Sequence, residues 1–308
     1  MSEPLRATFF ALQKREHGIL LGATLCYLLI VAALTATFVI PFFAVMGIDL
    51  QAALSGATAQ PPAPPNPMAA LWILPLGLVA AFIFCVAAAS FEAACLRWMI
   101  RGEKPGLFGL RLDADTWRVY GIYWVWFFCY LVALIGFVIL SALLSRLLPE
   151  NSFAWWIGIA LYACAIGLAV VALAPAAAVS VAERRFAFGD AFQATENHYG
   201  SLLGSFALLV GLQWGVNYGL TAAWLVWALE GDVLRYFGGA RDYLSFNVAY
   251  AQAVAAAMNA PHAAYAYWAI TALSFVASFA ISVLLYGVNA RVARLALQEG
   301  TISATPAA

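Results

Sequence analysis

Apolar positions along this chain fall in long unbroken blocks rather than in the alternating or 3.6-residue patterns of half-buried elements. Six blocks stand out, at residues 18–46, 68–96, 119–148, 153–182, 200–229 and 264–290. Each exceeds the ~18–20 residues that a helix rising 1.5 Å per residue needs to cross a hydrocarbon layer of about 30 Å. The pattern therefore predicts an all-α fold, a polytopic membrane protein of about six transmembrane helices forming one integral membrane domain over residues 1–308.

The segments between blocks sharpen this picture. Block one closes near Pro41. The linker QAALSGATAQPPAPPNP that follows cannot be helical through its prolines and reads as an exposed loop. Pro75 lies in the first turns of block two, and Pro175 predicts a kink in block four. The longer polar stretch 230–262 is expected to hold a helix that lies on the membrane or dips into it. As the largest feature of its side, it is the place to look for a partner.

Composition agrees. Hydrophobic residues make up 65% of the 308 positions and charged ones 10%, against roughly half and a quarter in soluble domains; the mean hydropathy is +0.89. Net charge is zero, so no overall field points to nucleic acid. The five cysteines, Cys26, Cys85, Cys95, Cys129 and Cys164, lie in or beside apolar blocks without metal-ligand spacing, and read as small packing residues. The first block is too long for the apolar region of a cleavable signal peptide and is read as a first span.

Charge placement sets the expected orientation. Twelve of the Lys and Arg residues fall at the first end, the second-to-third and fourth-to-fifth connections and the last end. Three, Arg146, Arg235 and Arg241, fall on the other side. By the positive-inside rule both ends are cytoplasmic. FFALQKREHGILLG before block one and DAFQATENHYGSLLG before block five are alike, and DADTWRVYG before block three has a similar place. Short amphipathic helices at the interface are expected there. The likeness is either a threefold hairpin repeat around an axis normal to the membrane or chance among Leu- and Gly-rich runs.

Few residues carry candidate chemistry. Glu92 sits near the charged end of block two, and a carboxylate at membrane depth is costly unless hydrated or paired; Arg97 and Arg118 are its expected partners. In block five, Gly211, Gly215 and Gly219 recur every fourth residue and predict a smooth face for close helix approach. Gln213, Asn217 and Thr221 form a polar stripe on another face, matched in block six by Thr271, Ser274, Ser278 and Ser282. The two stripes are expected to face each other as packing contacts, or, on the alternative reading, to line a polar path. Asp113 and Asp115 in LDADTW read as a helix N-cap at an interface. Trp98, Trp117, Trp124, Trp155, Trp156, Trp227 and Trp268 lie near block ends, where indoles favour the headgroup region. His17, His198 and His262 have no metal-ligand spacing, and no nucleophile elbow, phosphate loop, zinc helix or dinucleotide fingerprint is present. No catalytic residue, metal or cofactor is therefore expected.

At the fourth-to-fifth connection, APAAAVSVAERRFAFGDAFQATENHYGSLLGSFALL, with Ala191, Phe192 and Thr195 in its amphipathic helix, resembles poorly characterised bacterial six-helix inner-membrane proteins. These are of the YciC type and of the membrane-domain type attached to some glycerophosphodiester phosphodiesterases. LRWMIRGEKPGLFGLRLDADTWRVY is similar to a stretch in proteins of that broad kind. The resemblance implies a six-helix bacterial inner-membrane protein and no assigned reaction; no phosphodiesterase domain accompanies it here. The expected function is non-enzymatic binding of membrane lipids or a membrane-protein partner, a second copy of the chain included. The alternative is a transporter or channel for a small neutral or amphipathic solute.

Overall fold

The computed structural model describes residues 3–13, 20–39, 67–103, 109–148, 153–230, 232–238, 243–258 and 261–303. The proline-rich linker, the end of block one with Pro41, and Lys14, Arg15, His17, Lys104 and Arg241 lie outside them. The described residues are helical, with no strand among them.

In chain order the helices are α1 (Glu3–Thr8), α2 (Leu21–Leu34), α3 (Pro67–Arg101), α4 (Ala114–Leu147), α5 (Phe153–Leu173), α6 (Ala176–Glu183), α7 (Asp190–Glu196), α8 (Tyr199–Ala228), α9 (Val233–Phe237), α10 (Tyr243–Met258) and α11 (Pro261–Glu299). A 3-10 turn, Phe10–Leu12, follows α1, and α2 continues as a π-helix over Thr35–Val39. Six stretches are long and apolar enough to span a bilayer: Leu21–Phe38, Pro75–Arg101, Ala114–Leu147, Phe153–Glu183, Tyr199–Ala228 and Tyr265–Glu299. They match the six predicted blocks. Their exposed surface is apolar to a degree that water would not tolerate: Val132 is 70% exposed, Leu147 78% and Phe153 82%. The chain is an all-α, multi-pass membrane protein.

Two compact units divide the residues. The first takes Met1–Ile30, Ile83–Leu208 and Val283–Ala308. Its core is built from small side chains, with Ala89, Ala93, Ala94 and Cys95 of α3 and Ala290, Ala293 and Ala296 of α11 all buried. Lipid tails are as apolar as leucine, so helices in a bilayer associate through close van der Waals packing, which small residues permit. The whole of α6 is buried, and it packs on α4 and α7. Pro175 does more than kink the fourth block: it breaks the block with a turn at Ala174–Pro175, after which α6 begins. Arg184 ends α6 in the left-handed region (φ 57°), and the Ala187 amide then donates to Ser180 Oγ (3.1 Å), which holds the turn leading to α7.

The second unit takes Val31–Phe82 and Leu209–Ser282. Here the polar stretch after block five forms α9 and α10, which pack on each other. Ala253 and Ala257 of α10 are buried with Trp224 and Leu225 of α8. Trp224 spends its indole N–H on the Ala263 carbonyl (2.9 Å), so its ring is buried without an orphaned donor.

Of the three amphipathic helices expected ahead of the spans, α7 exists as a separate short helix. In FFALQKREHGILLG the described part holds only the 3-10 turn Phe10–Leu12; α1 lies before it at Glu3–Thr8, and the rest of the stretch up to residue 19 lies outside the described residues. The third does not form a separate helix. DADTW is the first turn of α4, which runs unbroken to Leu147, because Asp113 caps it directly.

Candidate functional site

The polar groups of the first unit collect around α3 and the start of α4. Glu92 lies in the apolar stretch of α3, 7% exposed. Its expected arginine partners are elsewhere. Arg97 pairs with Asp113, and Arg118 with Asp115 (2.5 Å). The Tyr123 hydroxyl on α4 instead donates to Glu92 Oε2 (2.6 Å). Tyr27 of α2 stacks on the neighbouring Phe91 (centroids 5.0 Å apart), and Tyr286 of α11 meets Phe91 edge-on (6.5 Å). The site is thus a buried carboxylate bonded to a tyrosine of α4, beside a phenylalanine on which rings from α2 and α11 pack.

The arginines go to the aspartates for a geometric reason. Asp113 N-caps α4, accepting from the Thr116 amide (3.1 Å), and its second oxygen reaches Arg97. The expectation of a cap at LDADTW is met at Asp113. Asp115, in the first helical turn, is itself 6% exposed and lies between Arg101 and Arg118. The Arg111 carbonyl accepts from Thr116 Oγ1 (2.5 Å) and from Ser90 Oγ (3.2 Å), tying the α3–α4 connection back to α3. Further pairs extend the set: Arg101 with Glu103 (3.4 Å), Arg184 with Glu103 (4.0 Å), and Arg185 with Glu183 (2.8 Å) and Asp190 (2.6 Å). Arg97, Arg101, Arg118, Arg184 and Arg185, all on the side read as basic from the sequence, are therefore ion-paired within the chain.

In the second unit the polar stripes of blocks five and six do meet. Gln213 Nε2 of α8 donates to Ser278 Oγ of α11 (2.6 Å). The other hydroxyls satisfy their own helices: Thr221 donates to the Asn217 carbonyl (2.8 Å), Ser278 to that of Ser274 (2.7 Å), Ser282 to that of Ser278 (2.9 Å) and Thr271 to that of Tyr267 (2.9 Å). Among the described residues, one bond crosses between the stripes where a whole ladder was available. Hydroxyls four residues from a carbonyl on their own helix have a partner already at hand.

The glycine stripe departs from expectation. A Cβ built at Gly211, Gly215 or Gly219 meets nothing within 4 Å among the described residues. Close approach occurs at other glycines. A Cβ at Gly287 of α11 would stand 2.8 Å from that of Ala11, one at Gly204 of α8 would stand 3.3 Å from Pro4, and one at Gly109 would collide with Ala23. Gly109 also has φ 65°, a conformation that favours glycine. Trp98 is likewise no interfacial indole but a core residue, 5% exposed.

Sequence reasoning missed Tyr123 because tyrosine counts as apolar in a hydrophobic block. The available signal was that a tyrosine buried there must bring its hydroxyl to a partner, and Glu92 is the acceptor it finds. Among the described residues, no three of His, Cys, Asp and Glu stand together as a metal-ligand set. His198 Nε2 lies 3.0 Å from Glu299 Oε1.

Fold and site together define the class: a polytopic helical membrane protein whose spans hold polar side chains bonded to one another. No protein-family model, curated protein or solved structure matches the chain.

Proposed function

We propose that this is a bacterial inner-membrane protein with both ends in the cytoplasm, that it catalyses no reaction, and that it works by binding lipid or membrane-protein partners. One observation carries the choice of binding over transport. The amide of Gln213 on α8 is engaged by Ser278 across the interface, and the hydroxyls of Thr221, Thr271, Ser278 and Ser282 donate within their own helices, so these donors are already spent instead of presented to a solute. The Tyr123–Glu92 bond does the same for the one carboxylate deep in α3. The bacterial inner membrane is supported by the sequence resemblance, and the orientation by the uneven distribution of Lys and Arg.

The test is native mass spectrometry of the protein released from nanodiscs that contain equal phosphatidylglycerol and phosphatidylcholine. Selective retention of phosphatidylglycerol is the expected result; equal retention of the two removes lipid binding from the proposal. Uptake of a neutral solute into vesicles, abolished by Asn217→Leu in a folded protein, would replace binding with transport. Orientation is read separately in a cysteine-free background. Leu12→Cys and Ser303→Cys should both react with an impermeant maleimide only from the cytoplasmic side.

A further inference from the structure

Among the described residues Arg111, Arg146 and Arg235 stand singly without an ion-pair partner, whereas two others come together. Among the described residues, Arg6 of α1 and Arg294 of α11 have no ion-pair partner, and they line the same cleft. Its volume is about 220 Å³, and its walls include Arg6, Arg291, Arg294, Gln13, Gln298 and Phe10. Arg291 and Arg294 stand three residues apart on α11, which places them side by side on one helix face. Arg6 and Arg294, which have no ion-pair partner among the described residues, leave positive charge in the cleft that an anion would offset.

The cleft is held in shape. The Pro4 carbonyl accepts from Ser205 Oγ (3.1 Å) and from Thr8 Oγ1 (2.8 Å), and Ala11 lies against Gly287. Gln13 Nε2 donates to the Arg6 carbonyl (3.1 Å), folding the end of the 3-10 turn back over α1. A water molecule takes about 30 Å³ in the liquid, so the space accepts a phosphate with the carbons attached to it. The surroundings point to a lipid as the source of that phosphate. While Ala7, Thr8 and Ala11 are buried, Leu5 and Leu12 on the same short segment remain 37% and 55% exposed. A basic pocket beside exposed leucines, at the end of a membrane-spanning helix, matches a headgroup joined to acyl chains.

We propose that this cleft binds the phosphate of an anionic phospholipid headgroup, with Arg6, Arg291 and Arg294 as its cationic wall and Gln13 and Gln298 as neutral donors. The proposal rests on the lipid-binding reading above and gives it a location.

The experiment measures affinity of the full chain for short-chain phosphatidylglycerol in neutral detergent. It compares the wild type with Arg6→Gln/Arg294→Gln, Arg6→Lys/Arg294→Lys and Arg146→Gln. The double glutamine variant should bind about thirtyfold more weakly, about fivefold for each charge removed. The double lysine variant should recover most of the affinity, and Arg146→Gln should match the wild type. Full affinity in the double glutamine variant overturns the site while leaving lipid binding standing. Failure of the wild type to prefer phosphatidylglycerol over phosphatidylcholine overturns both. Inorganic phosphate that displaces the lipid at equal concentration overturns the lipid as ligand in favour of a free anion. If the glutamine variant does not fold, weaker binding by either single variant, Arg6→Gln or Arg294→Gln, supports the site, and undiminished binding by both overturns it.

Discussion

The hydroxyl of Tyr123 is the hydrogen-bond donor to the buried carboxylate of Glu92, at 2.6 Å and across a sequence separation of 31 residues. Removing that donor leaves a buried acceptor with one partner fewer. Tyr123→Phe should therefore lower stability by about 1–3 kcal/mol, read as an earlier midpoint when the protein in mixed micelles is unfolded with dodecyl sulfate. Glu92→Gln keeps an acceptor oxygen and should lose less. Equal midpoints for Tyr123→Phe and wild type would show that the bond contributes nothing.

Asp115 and Asp190 offer a matched comparison. Asp115 is buried between two arginines, whereas Asp190 pairs with an Arg185 whose side chain is 52% exposed. Breaking a buried pair leaves uncompensated charge and typically costs about 3–5 kcal/mol, while an exposed pair is worth about 1 kcal/mol or less. Asp115→Asn should destabilise far more than Asp190→Asn in the same unfolding assay. Similar losses for the two would mean that water reaches Asp115 freely.

These residues also show how far the sequence could be read. The six spans were legible because their signal is additive: twenty apolar residues in a row need no partner to be recognised. The Asp113 cap was legible because capping is local. Glu92 was recognised as anomalous, but its partner was not, since Tyr123 lies on another helix and arginines nearer in sequence looked sufficient. Those arginines were drawn off by Asp113 and Asp115, a competition that only the three-dimensional course of the α3–α4 connection decides. The glycine stripe misled for the opposite reason. Spacing places three glycines on one face, but which face meets a neighbour depends on helix rotation, and the spacing is silent about that.

The glycines supply their own test. Gly215→Ala should be neutral or stabilising by up to about 1 kcal/mol, since alanine is the better helix former and no described residue stands in the way. Gly287→Ala places a methyl group 2.8 Å from that of Ala11 and should cost about 1–3 kcal/mol as an overpacked contact. Thermal unfolding in detergent separates them. A loss at Gly215 as large as at Gly287 would show that the face of α8 is occupied after all.

Gln213 and Ser278 invite a double-mutant cycle. Hydrogen bonds between spans average about 0.6 kcal/mol and reach about 1.7 kcal/mol. Gln213→Leu, Ser278→Ala and the double variant should give a coupling within that range. A coupling indistinguishable from zero would indicate that the side chains prefer their own helices, as Thr271 and Ser282 do.

The contacts of Pro4 with Ser205 and of Ala11 with Gly287 have a consequence for biogenesis. The segment 3–13 precedes the six described spans in the chain, yet the surfaces that receive it belong to the fifth and sixth. If spans enter the membrane in order, this segment waits unseated at the bilayer surface until the last one arrives. Its docking then reports that the sixth of these spans is in place, and a chain arrested before Gly287 would leave Leu5 and Leu12 unanchored, open to chaperones and proteases that survey unfinished membrane proteins.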